Sequence, residues 1–304
     1  MEQKHSEHHV VQGEVTAAVR VANVFIAGLI FAAIGAGIWR GMTSVAAGGA
    51  AWVQALMLTQ ILFAIAIILL GSLVEGFGFG LSLGTRWPYT RNILTLLVRG
   101  DPEAAHRVVA TTLGLIGVAL VILHPDAATI TGLALIVATA LFGMGTLHVL
   151  AGRAPAFVHG THGLLAYSVL LSYLVGLRYP HIHFLQYLDA NIALHAVFLT
   201  IFLGGMTTGQ RGFGQAIDPF VAPKRAAQWT VVVHIAAALL VVGTLGWLMP
   251  AYPVAFYLAV AQFAVGFVLF HAVNLRPKTP GAMVVFHQAM VLAITLAIVL
   301  GART

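Results

Sequence analysis

The chain alternates long apolar blocks with short polar joints. Nine blocks are long enough to cross a bilayer, near residues 20–39, 52–79, 104–122, 127–149, 156–177, 191–206, 227–248, 252–273 and 281–301. Each is rich in Leu, Val, Ala and Ile with scattered Gly, and none shows the two-residue alternation of a barrel strand. The spans are therefore expected to be helices, which satisfy their own backbone hydrogen bonds in lipid. The sixth block is the shortest. The first follows "MEQKHSEHHVVQGEVTAAVR", which lacks the basic start and small-residue cleavage site of a signal peptide, and is expected to be a retained helix.

Composition sharpens this picture. Of 304 residues, 60% are hydrophobic and 8% charged, as in a multi-pass membrane protein. Cysteine is absent, which excludes disulfides, thiolate metal sites and cysteine nucleophiles together, so any metal must be held by His or carboxylate. The net charge of +6 comes from basic residues placed singly in short loops, so membrane topology accounts for it and no nucleic-acid partner is expected.

Nine helices put the N-terminus and every second connection on one side, here called side A. Side A carries twelve basic residues (Lys4, Arg20, Arg86, Arg91, Arg99, Arg107, Arg153, Arg211, Lys224, Arg225, Arg276 and Lys278) against three on side B (Arg40, Arg178 and Arg303). The positive-inside rule then predicts that side A is cytoplasmic.

The chain also repeats itself. "LLGSLVEGFGFGLSLG" at the end of the second block parallels "FLGGMTTGQRGFGQAI" at the end of the sixth, and "LHVLAGRAPAFVHGTHGLLA" parallels "FHAVNLRPKTPGAMVVFHQAMVLA". The expected fold is an all-α membrane protein of about nine transmembrane helices, two pseudo-repeated four-helix bundles plus one extra N-terminal helix. Its expected parts are a polar tail over 1–19, the extra helix over 20–50, a first unit over 51–178 and a second over 179–304.

The histidines carry the candidate chemistry. His106, His162, His234 and His287 lie near the side A ends of four helices that all start from that side, with 56 residues separating the first two and 53 the second two. Each half thus offers a pair of imidazoles from alternate helices of a bundle, an arrangement able to supply both axial ligands of a heme iron. A proton or ion pathway would use the same residues, and a single His in a membrane helix often serves only as a hydrogen-bonding group. His148 and His271 also match between halves and are expected to border the same pockets. His124, His181 and His183 belong to side B connections, His5, His8 and His9 to the tail, His159 to a solvated or interfacial helix start, and His195 to a packing or hydrogen-bonding role.

The stretch "GDPEAAHRVVATTLG" opens the third block. Asp101 suits a helix cap, Pro102 a first helical position, and Glu103 and His106 then share a face. Glu103 would favour the positive end of the helix and Arg107 would reach the interface, which explains both charges without chemistry.

The order "LLGSLVEGFGFGLSLGTRWPYTRN", "EAAHR", "GMGTLHVLAGRAPAFVHGTHGLLA" and their second-half counterparts resembles the heme A synthase family, over roughly residues 52–301. The resemblance implies oxidation of the methyl group of heme O to the formyl group of heme A. It implies a catalytic carboxylate at Glu103, iron ligands at His106 and His162 for the substrate heme, and ligands at His234 and His287 for a heme b that relays electrons. Arg86, Trp87 and Arg91 are then candidate contacts for heme propionates, as are Arg107, Arg153, Arg211, Arg276 and Lys278, although snorkelling at the interface would explain them equally. Glu75 is a candidate for a proton path. The resemblance implies an external side A, opposite to the charge count.

Three readings follow: a heme A synthase-like oxidoreductase of the prokaryotic cell membrane; a two-heme cytochrome b that takes electrons from quinol or another donor within a respiratory complex; and a proton-coupled transporter whose histidines bind no heme. Glu103 separates the first from the second.

Overall fold

The computed structural model describes residues 14–43, 50–88 and 92–301. Lys4, His5, His8, His9, Arg91 and Arg303 lie outside the described residues. The described chain is all α-helix and turn, with nine helices long and apolar enough to cross a membrane: α1 (Ala17–Thr43), α2 (Ala50–Gly76), α4 (Pro102–Leu123), α5 (Ala127–Leu150), α6 (Phe157–Arg178), α8 (Ile192–Arg211), α9 (Ala226–Trp247), α10 (Pro253–Leu275) and α11 (Ala282–Gly301). Two short helices, α3 (Ile93–Val98) and α7 (Phe184–Ala190), lie in connections on opposite sides. This is an all-α membrane protein.

The starts of these helices follow from their sequences. Asp101 caps α4, accepting from the Ala104 amide at 2.9 Å, with Pro102 in the first turn. Asp126 and Thr129 form a reciprocal capping box on α5. Helix α8 runs past the expected end at 206 to Arg211, where Gly212 at φ +79° ends it. Helix α2 stops at Gly76, short of 79, as the chain turns through Gly78 at φ +74°.

Helices α2, α4, α5 and α6 pack in a ring, each against the next; α8, α9, α10 and α11 do the same. The rings join through α6 against α8 and α2 against α11, contacts that correspond under the repeat. Small residues permit the first junction, since a Cβ added to Gly205 would come 2.8 Å from the Gly160 Cα, and one added to Gly160 would come 2.5 Å from the Phe202 carbonyl. At the second junction the Gly281 amide donates to the Gly76 carbonyl at 2.7 Å. Tyr167 on α6 and Tyr179 just past its end reach the α11 carbonyls of Gln288 and Val299.

Buried Leu70, Leu73, Leu170, Leu171, Leu194 and Ile298 fill the space between the rings. Helix α1 leans on α2, its Gly37 and Gly41 lying against Thr59 and Trp52, and otherwise presents Val24, Phe25, Phe31 and Trp39 outward, as a lipid-facing helix does.

Candidate functional site

The four histidines occupy one kind of setting, repeated four times. Each stands on the second helix of a helical pair (α2–α4, α5–α6, α8–α9, α10–α11), and the first helix of the pair supplies two features one turn apart. One is a glycine beneath the ring. A Cβ on Gly71 would lie 3.3 Å from His106 Cε1; on Gly143, 3.0 Å from His162 Cε1; on Gly204, 3.0 Å from His234 Cε1; and on Gly266, 3.6 Å from His287 Cε1.

The other feature is a polar group from the residue four positions before that glycine. His162 Nδ1 meets the Thr139 carbonyl at 3.0 Å and His234 Nδ1 the Thr200 carbonyl at 3.1 Å. His287 Nδ1 meets the Gln262 side-chain amide at 2.9 Å. The Ile67 carbonyl interacts with His106 electrostatically without closing a hydrogen bond to its buried Nδ1.

The first interaction fixes a tautomer. A carbonyl oxygen only accepts, so Nδ1 of His162 and of His234 holds the ring proton and Nε2 presents a lone pair. Metal-binding imidazoles are held in this way. The rings also come together in pairs: His234 and His287 have centroids 6.4 Å apart, and His106 and His162 lie within electrostatic range of one another.

A metal–imidazole bond is about 2 Å, and the ring centre lies about 1 Å behind the bonding nitrogen, so two imidazoles sharing one ion have centroids about 6 Å apart. The His234–His287 separation meets that requirement. All four side chains are half-buried. Among the described residues no three His, Asp or Glu side chains converge as a metal-binding group.

Glu103 sits one turn before His106 and is buried. Its Oε1 accepts from Arg107 at 2.5 Å, and its Oε2 accepts from the Ser82 hydroxyl at 2.8 Å and the Leu83 amide at 3.0 Å. Arg107 is buried beside it and donates to the Arg86 carbonyl at 2.6 Å and the Pro88 carbonyl at 3.3 Å. The pair therefore pins the loop after α2 to the start of α4. An equivalent ion pair joins the units, where Arg211 binds Glu75 and the Gln215 and Pro277 carbonyls.

The position three residues before each histidine differs between units. The first unit has Glu103 and His159 there, and the second has Val231 and Val284. Val231 packs with Ile217, so an apolar contact in the second unit holds the same loop that Glu103 holds in the first. His159, expected to be solvated or interfacial, instead has a buried Nδ1 with no hydrogen-bond partner and feels the charge of Arg211.

Several expected residues stand elsewhere. His148 and His271 lie nine positions after Thr139 and Gln262, two and a half turns along the helix, and so take the opposite face from the groups that hold His162 and His287. His271 is exposed between the edges of Phe267 and Phe270. Arg86, Arg153 and Arg276 are exposed side chains at side A, and Arg107 is committed to Glu103 and the loop. On side B, His124 pairs with Asp126 at 3.2 Å and His183 meets Thr131 at 3.3 Å, while His195 is exposed instead of packed.

Sequence reasoning did not find the four glycines or Thr139, Thr200 and Gln262. Gly71 and Gly204 do stand within the two repeated segments that end α2 and α8, where they could have been read as platforms. Compared with known proteins, the chain matches no family model, no curated protein and no solved structure.

Proposed function

We propose that this protein is a heme-binding oxidoreductase of the membrane, with one heme between His106 and His162 and a second between His234 and His287. The glycine platform beneath all four rings, with an Nδ1 partner at three of them, carries this reading. It orients imidazoles in facing pairs, and at His162 and His234 it leaves Nε2 free to bind iron.

The finer proposal is a heme A synthase-like enzyme, with heme O as substrate in the first unit and heme b in the second. Taking the methyl to the formyl by successive hydroxylations is a four-electron oxidation that needs dioxygen or an equivalent oxidant as oxygen source, beside quinol or another electron donor. A bound heme b supplies a one-electron couple, and the substrate heme supplies the methyl group that becomes the formyl. The chain divides the labour accordingly. Only the first unit has ionisable side chains, Glu103 and His159, one turn before its paired histidines, whereas valines at those positions give the second an inert lining suited to relay. Glu103 holds negative charge at the start of α4, and Arg107 keeps it in place.

One observation favours a second reading, a two-heme cytochrome b that only carries electrons. Both oxygens of Glu103 are occupied by Arg107, Ser82 and Leu83, so the carboxylate already has a structural task. The two readings separate in membranes supplied with heme O. If the enzyme reading holds, Glu103→Gln stops heme A formation while both units keep their heme; heme A yield equal to wild type would sink the catalytic assignment of Glu103, and a wild type that forms no heme A would leave electron transfer as the function.

A further inference from the structure

The four settings differ in what meets Nδ1. His162 and His234 are hydrogen-bonded to a backbone carbonyl, His106 Nδ1 closes no hydrogen bond, and His287 faces the side-chain amide of Gln262. A carbonyl can only accept, whereas an amide can present either its NH2 or its oxygen. Gln262 presents the NH2: its Nε2 lies 2.9 Å from His287 Nδ1 and donates to the His287 carbonyl at 3.0 Å. Its Oε1 is buried with no partner. An amide nitrogen has no lone pair to offer, so Nδ1 of His287 accepts and the ring proton sits on Nε2, the atom that would bind iron.

We infer that Gln262 is a positioning residue that gates the second heme site by setting the tautomer of His287. The inference rests on the heme reading of that site. In this arrangement the amide holds His287 as the Nε2–H form, whose proton must leave before that nitrogen can ligate. Ligation would need a half-turn of the amide, so that Oε1 accepts from Nδ1–H; the Nε2 proton passes to solvent, Nδ1 takes one up from solvent, and the bond from Gln262 to the His287 carbonyl is given up. The facing ligand, His234, needs no such change, because Thr200 already holds its proton on Nδ1. The second site thus binds in two stages, with His234 ready first. The His287 ring is also the less tightly backed, since a Cβ added to Gly266 would lie 3.6 Å from it where one added to Gly204 would lie 3.0 Å from His234.

The test uses the full-length protein purified without heme, labelled with 15N at histidine, with the His287 signals identified by their loss in His287→Gln. Side-chain 15N shifts report the tautomer directly. The inference expects His287 as Nε2–H beside His162 and His234 as Nδ1–H; His287 found as Nδ1–H in the heme-free wild type would overturn it. Gln262→Glu, measured at a pH where the new carboxylate is ionised, offers only acceptors and should convert His287 to Nδ1–H. Hemin titration of that variant should tighten the second site about ten- to a hundredfold and leave the first unchanged. Each tenfold preference gained for ferric over ferrous heme would lower that site's midpoint by about 59 mV. Gln262→Leu, which adds no buried charge, should let His287 populate both tautomers, and a ring still wholly Nε2–H there would also overturn the inference. A wild type that shows the expected tautomers but binds no hemin would overturn the heme reading while leaving the role of Gln262 in setting the tautomer intact.

Discussion

Gly204→Ala tests the glycine platform at one of its two tightest points. The new Cβ would lie 3.0 Å from His234 Cε1, 3.5 Å from Nδ1 and 3.7 Å from Nε2. Carbon atoms rest about 3.5–4.0 Å apart, so the ring must retreat by about half an ångström. Its 3.1 Å bond to the Thr200 carbonyl would then stretch beyond hydrogen-bonding distance. Losing such an orienting partner weakens metal affinity about ten- to a hundredfold. Overpacking gives a similar figure independently: about 1–3 kcal/mol, with tenfold for each 1.4 kcal/mol, is about five- to a hundredfold. The helix itself should not suffer, because alanine is the better helix former by about 1 kcal/mol. Hemin titration of the purified protein, followed by absorbance, reads the second site. Gly266→Ala is the control, since its Cβ would meet His287 at an ordinary 3.6 Å. The reasoning fails if Gly204→Ala binds hemin as tightly as wild type, or if Gly266→Ala weakens binding equally.

Other substitutions probe the remaining contacts. Arg107→Met leaves Glu103 buried without its charge partner and should cost about 3–5 kcal/mol of stability; a thermal midpoint equal to wild type would show that the loop anchor is dispensable. Gly160→Ala drives a Cβ to 2.5 Å from the Phe202 carbonyl and should loosen the two units from each other. Faster proteolysis of the 179–192 connection than in wild type is the expected sign, and unchanged cleavage would contradict the close approach of α6 and α8.

The transmembrane spans were legible because lipid requires long, continuous apolar segments, and that requirement is written directly into α2, α5 and α10. Their ends were less so. The polar run to Arg211 remains helical until Gly212 ends it, beyond the apolar stretch that hydropathy registers. Helices α3 and α7 are too short to show a period.

The histidine pairs were visible as a matched spacing, but spacing does not report which face a residue takes. His148 and His271 match between halves as well as the four do, and both lie half a turn away from the groups that hold the rings. Gly71 and Gly204 were present in the repeated segments, hidden by how common glycine is in membrane helices. Gln262 carried no sequence signal at all, since its role exists only where α10 meets α11.

The most direct test of the central claim is the dithionite-reduced spectrum of the purified protein, with its heme extracted, identified and counted. The account predicts two low-spin hemes per chain, with one lost from the first unit in His106→Ala or His162→Ala and one from the second in His234→Ala or His287→Ala. Heme O or A beside heme b would support the synthase, and heme b alone the electron carrier. A protein that takes up no heme despite ample supply during expression would contradict the account and leave the histidines to a proton-coupled transporter.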